Sequence, residues 1–98
     1  MFVYEIFLPV TDEHGVPFPG SNFRDACDQL TDEFGPIETL AIYRPLRIEH
    51  EIVREAELCR CRLDVARTDD NQRWLIGWRD ATERRFGCSL WMIRYRQI

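Results

Sequence analysis

The sequence predicts an α+β protein of ferredoxin-like topology, β-α-β-β-α-β, with a four-stranded antiparallel sheet and both helices on one face. Three observations carry this expectation. Glu57 to Val65 alternates apolar and charged residues, the two-residue period of a half-buried strand. Asp69 to Arg85 then brings Leu75, Trp78, Thr82 and Phe86 to spacings of three and four, one stripe of an amphipathic helix. Beyond Gly87, Ser89 to Arg96 returns to the strand period. A right-handed crossover of this kind leaves two parallel strands with a helix across one face. The first half of the chain repeats the pattern, and two such units give strand order 4-1-3-2.

Phe2 to Leu8 reads as the first strand, stopped by Pro9 because proline cannot donate to a ladder. The loop from Val10 to Gly20 is long for a strand-to-helix link. Ser21 or Asn22 is placed to cap the next helix, with Asp25 in its first turn favoured by the helix dipole. Phe23, Ala26, Cys27, Leu30 and Phe34 form the core-facing stripe, and Gly35-Pro36 closes the helix. Ile37 to Tyr43 forms the second strand and Pro45 ends it. Leu46 to Glu55 connects onward, with a hairpin extension as an alternative.

Alternation sorts the strand residues by face. Phe2, Tyr4, Ile6, Leu8, Leu40, Ile42, Cys59, Cys61, Leu63, Val65, Trp91, Ile93 and Tyr95 are expected under the helices. The open face is expected to carry Val3, Glu5, Phe7, Tyr43, Arg60, Arg62, Leu90, Met92, Arg94 and Arg96. Arginine mixed with apolar residues on one surface points to an interface. Phe7, Arg60, Arg62, Leu90, Met92, Arg94 and Arg96 are therefore the candidate contacts of a homodimer. The competing reading leaves the face exposed, its apolar atoms covered by arginine stems.

The 98 residues make one domain spanning 1–98, and 45% hydrophobic with 31% charged residues is an ordinary globular balance. No apolar run approaches the ~20 residues of a membrane span, and the opening segment lacks the basic start of a signal peptide, so the expected compartment is the cytoplasm. All 13 basic residues are Arg; without Lys, Schiff-base chemistry and a P-loop lysine are excluded. Residues 1–57 carry a balance of −8 and residues 58–98 one of +4. Opposed halves suit a two-fold dimer, or simply two solvated surfaces.

Cys27, Cys59, Cys61 and Cys88 read as small core or turn residues, since no second pair stands at zinc-site spacing. No metal and no cofactor is expected. His14, beside Asp12 and Glu13, and His50, between Glu49 and Glu51, are candidate general bases, with Arg44 a further polar candidate. In both places a solvated His among acids is the plainer reading. Nucleic-acid binding is disfavoured by the net charge of −4 and by the absence of an aromatic beside Arg60 or Arg62 in the third strand.

Three segments carry a family resemblance: Tyr4-Glu-Ile-Phe-Leu-Pro-Val-Thr-Asp-Glu-His-Gly15, Leu30-Thr-Asp-Glu-Phe-Gly35 and Arg84-Arg-Phe86. In these the chain resembles a group of uncharacterised bacterial proteins of about 100 residues with a ferredoxin-like fold. It departs from them at Pro36 and through Leu46–Glu55. The resemblance implies the fold and no activity. Two functional readings follow: a small homodimeric binding or assembly module using the open sheet face, or a small-molecule-binding protein or enzyme of the dimeric α+β barrel kind using His14, His50 and Arg44.

Overall fold

The computed structural model describes residues 1–96, with the side chains of 44–48 and 53–56 outside that description. The architecture is α+β: β1 (Phe2–Pro9), α1 (Gly20–Phe34), β2 (Glu38–Ile48), β3 (Glu51–Val65), α2 (Asp69–Phe86) and β4 (Trp91–Arg96). The four strands form one sheet in the order β2-β3-β1-β4, with antiparallel pairing throughout. Residues from both helices, Ala26 and Leu30 of α1 with Leu75, Trp78 and Phe86 of α2, share one cluster with Phe2, Tyr4, Ile6 and Leu8. Burial of that cluster drives folding at roughly 25 cal/mol per Å² of apolar surface.

β1 lies at the centre and its sequence is apolar on both faces. Phe2, Tyr4, Ile6 and Leu8 point into the helix layer, yet Val3 is fully buried on the other side and Phe7 nearly so. The α2 boundaries follow their caps. The Thr68 side chain accepts from the Asn71 N–H at 3.1 Å, Asp69 and Asp70 occupy the first turn, and Arg84 and Arg85 the last. Gly87 then takes φ 70°, a left-handed position that glycine holds without strain, and its N–H bonds the Glu83 carbonyl.

α1 begins differently from the expectation. Pro19 is its N-cap, no side chain caps it, and no acidic residue lies in its first turn. The start is set by Phe18, whose N–H bonds the Val10 carbonyl and whose ring meets Phe86 edge-on at 4.9 Å. Ser21 and Asn22 are carried inside the helix, and Asp25 faces Arg85 of α2 at 3.8 Å.

β2 does not stop at Pro45. It runs on to Ile48, pairs with β3 as far as Glu51, and extends the hairpin beyond the part of β3 that pairs with β1. Proline is tolerated because β2 is an edge strand, whose outer side needs no donor. The turn is two residues long, with Glu49 at φ 48° and His50 at φ 70°. These are the positive angles that a tight hairpin demands and that Asn-Gly usually supplies.

Two substitutions, one at the N-cap of α2 and one within it, check this description. Thr68→Ala should lower unfolding free energy by about 1 kcal/mol in urea titrations, the usual value of a lost N-cap. Thr82 is buried and its Oγ1 has no hydrogen-bond partner among the described residues. Thr82→Val, nearly isosteric, should therefore be neutral or stabilising by about 1 kcal/mol in the same assay. A clear loss would reveal a bond to that hydroxyl.

Candidate functional site

Strand register sorts the described side chains of the open face up to the shift at Ile42/Tyr43, because residues paired across a sheet project to the same side. One row across the sheet reads Leu40, Arg60, Phe7, Trp91. The next reads Glu38, Arg62, Glu5, Ile93. A third joins Asp64, Val3 and Tyr95. Apolar and aromatic groups thus sit among charges of alternating sign. Phe7 and Trp91 stack obliquely with centroids 5.1 Å apart, and Trp91 remains 64% exposed. Leu40 is also largely exposed.

The sidedness expected for β4 is reversed. Leu90 belongs to the core cluster, Met92 packs against it, and the Arg94 guanidinium lies 4.7 Å over the Phe2 ring on the helix side. Arg96 pairs with Phe2 and shares that side. Trp91, Ile93 and Tyr95 look outward instead. The strand offers apolar residues at both parities, so alternation cannot choose between them. Leu90, seated in the core just after the Gly87 turn, decides it. β2 is reversed for a related reason. Thr39 and Ala41 stand opposite Cys61 and Cys59, and both are exposed because the helices stop short of this edge strand. Leu40 and Ile42 consequently fall on the open face. Of the candidate contacts, Phe7, Arg60 and Arg62 lie on that face; Leu90, Met92, Arg94 and Arg96 do not. Tyr43 is exposed, beyond a register shift at Ile42/Tyr43.

Trp91 and Phe7 in the row of Arg60 place aromatics beside an arginine after all, across strands where a single-strand reading misses them. Glu5, Glu38 and Asp64 interleave with Arg60 and Arg62, so the face still lacks the positive sign that phosphate binding needs.

The Tyr95 hydroxyl donates to Glu5 Oε1 at 2.9 Å, joining the second and third rows. That bond to the carboxylate, helped by desolvation and by the Glu5 charge, holds the phenol above its ordinary range; Arg62 and Arg60 act weakly the other way.

The histidines do not form a joint site. His14 lines a cleft of about 370 Å³ with Pro9, Thr11, Asp12, Glu13, Phe18, Phe86, Gly87 and Cys88. Its Nε2 is 3.4 Å from Glu13, with both side chains more than three-quarters exposed. Asp12 is already engaged in shaping the loop, since its Oδ1 accepts the N–H groups of His14 at 2.8 Å and Val16 at 2.9 Å. His50 sits in the exposed hairpin turn. Val10, near the His14 loop, bonds Glu57, and seven further residues of strand at ~3.3 Å each separate Glu57 from His50, about 23 Å. The Arg44 side chain lies outside the described residues. Among the described residues no group of three or more His, Cys, Asp or Glu is arranged to hold a metal ion. No helix among them is long and apolar enough to cross a membrane.

The chain matches no protein-family model and no curated protein.

Glu5→Gln tests the Tyr95 contact. With the carboxylate gone, one tyrosine should titrate at lower pH in ultraviolet absorbance, and Tyr95→Phe should remove that same component. The contribution of this contact to stability is complete below the ordinary phenol value near 10 and is lost as pH rises through the elevated folded-state value.

Proposed function

We propose that the protein is a homodimeric binding or assembly module of ferredoxin-like topology, joined through the open sheet face and working in the cytoplasm. The observation that carries this reading is the row Leu40–Arg60–Phe7–Trp91, in which two largely exposed apolar side chains, Leu40 and Trp91, flank Arg60 and the buried Phe7. Large apolar side chains left exposed among polar groups are costly to keep in water and mark a contact surface. The neighbouring row favours a second copy as occupant. Glu38, Arg62 and Glu5 alternate in sign, so a two-fold operation lets Arg62 of each copy face an acid of the other. The strand order, read from the opposite edge as β4-β1-β3-β2, supports the ferredoxin-like reading. It also agrees with the resemblance to the uncharacterised bacterial family.

Sedimentation velocity at micromolar concentration is the test. The protein should run as a dimer, and Trp91→Glu should make it a monomer. Arg62→Glu should weaken association at least tenfold, about 1.4 kcal/mol. Arg94→Glu, on the helix side, should leave the dimer intact. A wild-type monomer at these concentrations would remove the proposal, as would dissociation by Arg94→Glu but not by Trp91→Glu.

One observation favours a second reading, a small-molecule site. His14 and Glu13 rim the cleft floored by Phe18 and Phe86, an arrangement suited to a flat ligand with a polar end. A ligand bound there should raise the melting temperature of the wild type and not that of His14→Ala. Equal stabilisation of both proteins would place the ligand elsewhere.

A further inference from the structure

Three thiols meet where α1 lies on β3. Cys59 and Cys61 are two residues apart in a strand and project to one face. Cys27 reaches them from α1, its Sγ 3.8 Å from that of Cys61. None is in a disulfide. Cys61 is fully buried, whereas Cys27 and Cys59 are partly exposed. The exposure has a cause in the layer structure: Thr39 and Ala41, opposite Cys61 and Cys59 in β2, are uncovered, so the cluster sits at an open margin.

A single buried cysteine needs no role beyond packing. A cluster of three, with Cys27 and Cys61 in S···S contact and Cys59 on the same strand face, behaves differently, because an S–H stabilises a neighbouring thiolate while a second negative charge is opposed. The hydrogen bond from Cys61 lowers Cys59 to about 7 and holds Cys27 below its ordinary value. Cys61, which makes both bonds and is buried, is pushed up. Cys88, exposed and outside the cluster, is raised by partial desolvation and by the Glu83 charge. Nucleophilic character is thus concentrated at the two partly exposed sulfurs.

We propose that Cys27 and Cys61 form a redox-active pair, closed to a disulfide by low-molecular-weight disulfides of the glutathione class. The Cys27 thiolate attacks one sulfur of the oxidant, whose S–S bond breaks, leaving a mixed disulfide on Cys27 and expelling one thiolate. Cys61 then attacks the Cys27 sulfur, the S–S bond of the mixed disulfide breaks, and the second thiolate leaves with the proton of Cys61. Two cysteine thiols are oxidised and the oxidant is reduced to two thiols: the first expelled thiolate takes up a proton from water in place of the one Cys27 gave up, and the second takes the proton of Cys61. The sulfurs close from 3.8 Å to the ~2.05 Å of an S–S bond, a change within reach of side-chain rotation and a small shift of α1. The bridge would tie α1 to β3 between residues 34 apart in sequence and restrict the unfolded chain. It lies on the side of the sheet away from Trp91, so its failure is separate from any failure of the proposed dimer.

Peptide mapping of the full chain after incubation with oxidised glutathione tests the pairing. Trypsin cuts between Arg60 and Cys61, which separates the two strand cysteines, and spares the Arg44–Pro45 bond. The expected product is the peptide Asp25–Arg47 joined to Cys61-Arg62, from a protein lighter by two hydrogen atoms and with a higher melting temperature than the reduced form. Cys27→Ser and Cys61→Ala should abolish this product, and Cys88→Ser should retain it, with circular dichroism reporting the folding of each. Should Cys61→Ala fail to fold, Cys27→Ser at its partly exposed position and the wild-type map decide the matter. A bridge from Glu55–Arg60 to either other peptide, a glutathione adduct that persists without a bridge, or a protein that stays reduced would each overturn the proposal.

Discussion

The structure depends on the pairing of β1 with both of its neighbours. This strand is apolar at almost every position, and it can bury both faces only by lying between β3 and β4. Beneath the helices it contributes Phe2, Tyr4, Ile6 and Leu8, while on the far side Val3 is buried although no helix covers it. The cover comes from the flanking strands, where Tyr95 and Asp64 pair with Val3, and Trp91 and Arg60 with Phe7. A one-residue slip on either side would exchange the faces of the neighbouring strand and expose its core residues.

That register also makes the open face what it is. The chemistry lies in rows that cross strands, so neighbours in the row are distant in sequence. Trp91 stacks on Phe7, Tyr95 bonds Glu5, and Arg60 and Arg62 stand between acids and apolar groups. Alternating charge gives such a surface selectivity for a complementary partner and rejects a uniformly charged one. On the opposite side the helices cover β1 and β3 and fall short of β2, which creates the exposed margin beside Cys27 and Cys59. The open face follows from both helices lying on one side of the sheet, and the margin from two helices being too narrow a layer for four strands.

The loops illustrate the same dependence on context. Asp12 resembles an orienting partner for His14 in sequence, yet it spends its oxygen on backbone amides and shapes the loop. The hairpin turn at Glu49 and His50 carries no glycine or asparagine signal, and its positive φ values are sustained by the strand pairing on either side.

By itself the sequence determined the elements: a helix stripe at Leu75, Trp78, Thr82 and Phe86, its ending at Gly87, the alternation of Cys59 to Val65, and the two-sided apolar character of β1. These are periodic or local signals, and each acts within a few residues. Whether Leu90 or Trp91 entered the core, whether Leu40 faced in or out, and where α1 began were settled only in the tertiary structure. The physical reason is degeneracy. β4 and β2 carry apolar side chains at both parities, so their internal pattern is equally content with either face. The choice fell to contacts distant in sequence: the seat of Leu90 among core residues, the pairing of β2 with β3, and the ring of Phe18 against Phe86.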